Sequence, residues 1–263
     1  MYNGVAENVL GTMGTIFWCI QLIPQIVHNY KRKDCEGLPP SMMFLWALSG
    51  IPFSIYFVGT DGSIPLRIQP QLFTLFCTIS WSQTLYYPPV RLPKWRLVAY
   101  VGSFLVVALG LEFGFIFWLR PVYRHGTHWP MLVVGIVASV LLAIGLLPPY
   151  FEIWKRRGRV YGINFFFLSM DSAGALLSMI SIIVGTMDIM SMVLYAIVLF
   201  LEMGIFLCQI VWYLAGGRQV IKKEKAERKE AKNFKELDLV KVDSDENTTY
   251  DQAEKEETSP NHV

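Results

Sequence analysis

Long apolar runs, broken by short clusters of Pro, Gly, Lys and Arg, set the pattern of the first 214 residues. Seven runs approach or exceed the length of a membrane crossing: 6–28, 41–59, 68–88, 96–118, 130–152, 163–185 and 190–214. A helix needs about 20 mostly apolar residues to cross the hydrocarbon core, where only a backbone that satisfies its own hydrogen bonds is tolerated. The pattern therefore predicts an all-α polytopic membrane protein with seven transmembrane helices. Pro52 and Pro70 interrupt the second and third runs, so breaks are expected there. The first run follows a segment with no basic cluster that carries Glu7, which reads as a retained span rather than a removed leader.

Composition agrees with the pattern. Apolar residues make up 53% of the chain and charged residues 17%, with a mean hydropathy of +0.39. This is a membrane composition, and a net charge of +2 carries no signal for nucleic acid. The placement of the charges is more informative. Lys and Arg near the span ends number 16 on one side and 3 on the other. The positive-inside bias then predicts a cytosolic C-terminus and a lumenal or extracellular N-terminus. From about residue 217 the chain becomes charged, basic first and acidic later. Residues 217–263 are expected to form a mostly disordered cytosolic tail, a candidate for docking a cytosolic protein. The Asn247-Thr248-Thr249 sequon within it is expected to stay unglycosylated.

The chain also repeats itself. IPQIVHNYKRKDCEGL at 23–38 reads against LPPYFEIWKRRGRVYGI at 147–163, placing Pro24 on Pro148, Lys31-Arg32 on Lys155-Arg156 and Gly37 on Gly162. Val58-Gly59-Thr60 falls on Val184-Gly185-Thr186, and Gln83, Tyr86 and Tyr87 fall on Gln209, Trp212 and Tyr213. The offset stays between 124 and 126. Two like-oriented three-helix repeats need one extra crossing between them, so the expected arrangement is 3+1+3. The predicted divisions are a first repeat at 1–90, a linker helix with its loops at 91–128, a second repeat at 129–216, and the tail at 217–263.

A three-helix repeat with Pro24-Gln25 near the cytosolic end of its first helix, followed by NYKRKDCEGL, resembles the PQ-loop repeat family. That family includes cystinosin, lysosomal and vacuolar cationic amino acid exporters, and the more distant SWEET-like carriers. The second copy departs from the motif, with Pro148-Pro149 in place of Pro-Gln. Exporters in the family often carry Gly-Asp in the second helix of each repeat; here the first half has Ser49-Gly50 and the second has Asp171. The resemblance implies an alternating-access transporter hinged at Pro24, Gln25, Pro148 and Pro149, in a vacuolar or lysosomal membrane.

Intramembrane acids supply the candidate chemistry. Asp171 falls inside the sixth run, Glu202 near the middle of the seventh and Glu112 in the fourth, with no Lys or Arg at comparable depth. A charged group there costs at least about 2.5–3.5 kcal/mol, so such residues are candidates for a transport path. Gly174, Ala175 and Ser178 follow Asp171 at helical spacing and offer a small, partly polar stripe. The alternative is a carboxyl satisfied locally, by Ser172 or backbone. Trp46 holds the place in the first repeat nearest to that of Asp171, offering a flat aromatic face or an interface anchor. Gln83 and Gln209 read equally as a cytosolic gate or as headgroup contacts. Cys19, Cys35, Cys77 and Cys208 show no disulfide or metal pattern, and His28, His125, His128 and His262 form no ligand cluster.

No nucleophile, metal or phosphate motif points to an enzyme. No cofactor is expected, and the proton is the candidate coupling ion. The expected partners are a small-molecule substrate and the lipid bilayer; oligomeric state leaves no trace in the sequence. The leading reading is a secondary transporter of a small polar solute, amino-acid-like or cationic. A receptor or recruitment platform and a lipid scramblase are the alternatives on the same fold.

Overall fold

A computed structural model describes residues 4–61, 64–185, 189–223 and 226–227, and the chain divides into two compact units, 1–211 and 212–263. The regular elements are helices: α1 (Gly4–Ile20), α2 (Leu22–Arg32), α3 (Pro40–Gly59), α4 (Ile64–Tyr86) and α5 (Lys94–Arg124). They continue with α6 (Trp129–Gly145), α7 (Leu147–Lys155), α8 (Phe165–Val184) and α9 (Ile189–Trp212). No strand occurs among the described residues. In the second unit, Tyr213–Gly217 is π-helical, with Gly216 at φ 114°. The expected tail beyond residue 227, its sequon and the repeat partner Thr186 lie outside the described residues.

Six helices among the described residues are long and apolar enough to cross a membrane: Gly4–Arg32, Pro40–Gly59, Lys94–Arg124, Trp129–Lys155, Phe165–Val184 and Tyr195–Lys223. The third expected run, 68–88, appears as α4, which at 23 residues has the length. Its apolar character is diluted by Arg67, Gln69, Gln71 and a series of Ser and Thr residues. Several of these hydroxyls point inward. Thr78, Ser80 and Thr84 are buried, and Thr78 and Thr84 return their hydroxyls to carbonyls of their own helix at 2.7 Å.

Prolines break two crossings and leave others whole. α1 gives way to α2 at Gln21, and α6 gives way to α7 at Leu146. Pro24 and Pro148 follow these breaks by three and two residues. A proline has no N–H to return to the carbonyl four positions back, so Ile20 and Ile144 lose their helical donors. By contrast, α3 and α4 run through Pro52 and Pro70, which corrects the expectation of interruptions there. Neighbouring helices and side chains can absorb the lost bond within a packed bundle.

Among the closest helix pairs, α1 lies along α8, and α3 lies along both α4 and α6. Small residues permit the close approach. Gly14 faces Ser178, Gly174 faces Trp18, and Gly145 faces Trp46. The α1–α8 and α3–α6 seams mirror one another residue by residue. Trp18 Nε1 donates to the Asp171 carbonyl at 3.3 Å, and Trp46 Nε1 donates to the Leu142 carbonyl at 3.2 Å. In the repeat register expected from the sequence, 142 falls on 18 and 171 on 46, and in that register each bond is the other with the halves exchanged. Each indole rests over the glycine three residues beyond its acceptor. The outer surface is apolar: Val98, Val106, Phe117, Trp154 and Phe200 are all exposed, as lipid contact requires.

Candidate functional site

The break at Gln21 sets this residue in the middle of the bundle, 1% exposed, beside Trp18 and Trp46. These three, with Phe73, Leu142, Asp171 and Val198, line a narrow cavity of about 10 Å3, room for about one water molecule. A second void of about 30 Å3 shares Trp18, Phe73 and Leu142. It leads past Phe53, Phe57 and Gln69, toward the end of the bundle where α3 finishes and α4 starts.

Asp171 is 3% exposed and Glu202 is wholly buried. Asp171 on α8 and Glu202 on α9 stand close enough to act on one another, and Gln21 lies close enough to act on the Asp171 carboxyl. Ser172 Oγ donates to Glu202 Oε2 at 2.7 Å. Glu202 Oε1 and Gln21 Oε1 are buried without a well-formed hydrogen bond. Among the described residues, no Lys or Arg acts on either carboxyl. Asp171 thus fronts the cavity while Glu202 stands behind it. Two carboxylates in contact in an apolar shell cannot both hold their charge unaided. Either a proton or a cation completes such a pair.

The opposite end of the bundle is laced shut. Gln25, fully buried, donates to Asn29 Oδ1 at 2.8 Å and to the Gly162 carbonyl at 3.1 Å. Its own carbonyl oxygen accepts the Asn164 N–H at 2.7 Å. Asn164 in turn caps α8 by accepting the Phe166 N–H at 2.8 Å, and reaches the Pro24 carbonyl at 3.2 Å. Gly37 and Gly162, at φ +88° and +82°, press backbone on backbone. A Cβ on Gly37 would lie 2.6 Å from the Tyr161 carbonyl carbon, and one on Gly162 would lie 2.6 Å from that of Gly37. Tyr161 completes the closure, its hydroxyl accepting from Arg32 at 3.0 Å and its ring flanked by Arg32 and Arg156 at 4.9 and 4.8 Å. Arg156 also pairs with Glu36 at 3.0 Å.

The sequence-derived candidates therefore separate into groups. Asp171, Glu202 and Trp46 meet at the centre, although the Trp46 indole N–H is committed to a backbone carbonyl. Ser178 lies in the α1–α8 seam against Gly14 rather than on the cavity wall. Gln83 accepts from Asn29 at 3.1 Å and donates to the Ile26 carbonyl at 3.1 Å, bracing α4 against α2. Gln209 accepts the Val160 N–H at 2.9 Å. Both glutamines hold backbone and side chains inside the protein. Pro149, in the place of Gln25, is buried and offers no amide, so the lacing is one-sided. Glu112 sits apart, accepting from Ser54 at 2.5 Å and from Gln71. Gln21 and Trp18 were not singled out in the sequence. Gln21 did leave a signal there, as an amide inside an apolar run three residues before a proline.

Apolar helices, proline-adjacent breaks and a buried acidic centre define a class: polytopic helical membrane proteins. A family model for the PQ loop repeat matches residues 6–66. The chain is 51% identical over 255 residues to the uncharacterized membrane protein YDR090C of Saccharomyces cerevisiae, covering 95% of this chain and 82% of that one. It is 35% identical over 210 residues to the uncharacterized protein C2E12.03c of Schizosaccharomyces pombe, covering 80% and 74%. The chain belongs to the PQ-loop repeat family and is an integral membrane protein.

Proposed function

We propose that this protein is a secondary carrier that moves a small polar solute past Asp171 by alternating access. One observation carries the reading: a buried carboxyl pair, without a fixed cation, opens on a cavity between the two mirrored seams. Something mobile must balance that pair, and a solute or a proton arriving through the cavity is the natural candidate.

In this reading α4 is the seventh crossing, since 23 helical residues span about 34 Å. The arrangement is then 3+1+3, with α5 as the linker. The exchange of partners between the two Trp bonds and between Gly37 and Gly162 supports a duplication. The Lys and Arg bias supports cytosolic loops at 33–39 and 156–164, so the laced end is the cytosolic gate, closed here. The void toward the α3–α4 end is then the lumenal or extracellular approach. Breaks beside Pro24 and Pro148 give each half a joint at the depth of the cavity. Resemblance to vacuolar and lysosomal members favours an acidic organelle.

Flux into vesicles reconstituted with the purified protein, screened over amino acids, amines, sugars and vitamins at two pH values, tests the proposal. The expected result is saturable, pH-dependent uptake of one class, abolished in Asp171→Asn. Lipid translocation without solute flux, or flux untouched by that substitution, would remove Asp171 from any carrier mechanism.

A further inference from the structure

We propose that the cavity selects an organic amine that bears no carboxylate, a protonated monoamine or diamine, over the corresponding amino acid; this rests on the carrier reading above. The cavity wall combines one acid with three aromatic rings, Trp18, Trp46 and Phe73. Aromatic faces attract a cation through their quadrupoles, most strongly when water is excluded. Asp171, with Glu202 behind it, supplies the countercharge.

The same wall has nothing to hold a carboxylate. Among the described residues, no Lys, Arg or His lines either void. Both indole N–H groups are already given to the Asp171 and Leu142 carbonyls. The Gln21 side chain lies against Asp171 itself. Gln69, in the outer void, is a neutral amide. Other cations are engaged at the ends of the bundle, Arg120 and Arg124 with Asp61 and Arg32 and Arg156 around Tyr161. An amino acid that placed its ammonium at Asp171 would bring its own carboxylate into an apolar, already anionic chamber. That group would be desolvated without a partner, which sites reject strongly.

Matched pairs that differ only in the carboxylate make the test: tyramine against tyrosine, and cadaverine against lysine. Each is assayed for thermal stabilisation of the purified full chain and for uptake into reconstituted vesicles. The amines are expected to act at concentrations at least ~100-fold below those of their amino acids, and Asp171→Asn is expected to abolish their effect. If an amino acid is bound or carried as well as its amine, the selectivity is overturned while the carrier reading stands. Amine binding without flux of any solute upholds the site and overturns the carrier. If the unaltered protein responds to neither member of either pair, the amine assignment falls. The comparison runs on unaltered protein, so it holds whether or not the Asp171 variant folds.

Discussion

Adding one methyl group to either mirrored seam tests the packing on which the cavity depends. In Gly145→Ala and Gly174→Ala the new Cβ would stand 2.7 Å from the indole nitrogen of Trp46 and of Trp18 respectively, with the neighbouring ring carbon nearer still. Both indoles are buried, Trp46 at 1% and Trp18 at 7% exposed, and each is held by its bond to a carbonyl. Overpacking of this kind costs about 1–3 kcal/mol, and displacing an indole from its carbonyl loses about 1 kcal/mol more. Replacing Gly by Ala in a helix returns about 1 kcal/mol. The net destabilisation is about 1–3 kcal/mol, a fall of roughly 2–12 °C in Tm for a chain of this size. Thermal unfolding in detergent at a fixed scan rate is the assay. Gly110→Ala is the control, because a Cβ there meets nothing within 4 Å. The two seam variants are expected to lose comparable stability, and Trp46→Phe is expected to restore part of it in the Gly145→Ala background. If both seam variants unfold with the control, the close indole packing is not what joins the halves.

Other perturbations address the closed end and the outer rim. Gln25→Leu would leave the Asn164 N–H and the Gly162 carbonyl without their buried partner, and is expected to cost about 1–3 kcal/mol in the same thermal assay. The Cys35 thiol is buried, and burial first, with Asp34 second, pushes it up to about 12. Only about 1 thiol in 100,000 is then ionised at neutral pH, so a water-soluble maleimide is expected to leave Cys35 unlabelled until the 33–39 loop opens. Arg120 and then Arg124 hold the Asp61 carboxyl below the usual carboxylate range. Its stabilising share is present above the ordinary carboxylate pKa and lost as pH falls through the depressed one. Asp61→Asn is therefore expected to be less stable than the unaltered protein at neutral pH, and to match it only in strong acid, as read from paired melts.

Helix positions were legible because lipid imposes one rule on every crossing: the apolar runs mark α3 and α8 to within two residues, while α5 runs six residues past the end of its run. α4 was legible as an element but lacks the hydropathy of the six candidate crossings, because Thr78, Ser80 and Thr84 turn polar groups to the protein. The proline signal was ambiguous by itself: Pro24 and Pro148 sit beside breaks, whereas Pro52 and Pro70 ride within intact helices. What separates them is tertiary support, which no local pattern records. Asp171 and Glu202 stood out singly, since depth can be read along one chain. Their contact could not be read, because it depends on how α8 and α9 rotate about their axes. The exchange of partners between Trp18 and Trp46 was hidden for a related reason. The repeat offset pairs 18 with 142, and Leu142 enters the bond only through its backbone.

The most direct measurement follows proton movement in vesicles that hold a trapped pH-sensitive dye while the solute found by the uptake screen crosses the membrane. If the Asp171–Glu202 pair exchanges a proton for that solute, flux is expected to move protons in fixed ratio in the unaltered protein. Glu202→Gln is expected to uncouple the two, and Asp171→Asn to stop both. Solute flux of undiminished rate and coupling in both variants would contradict the account.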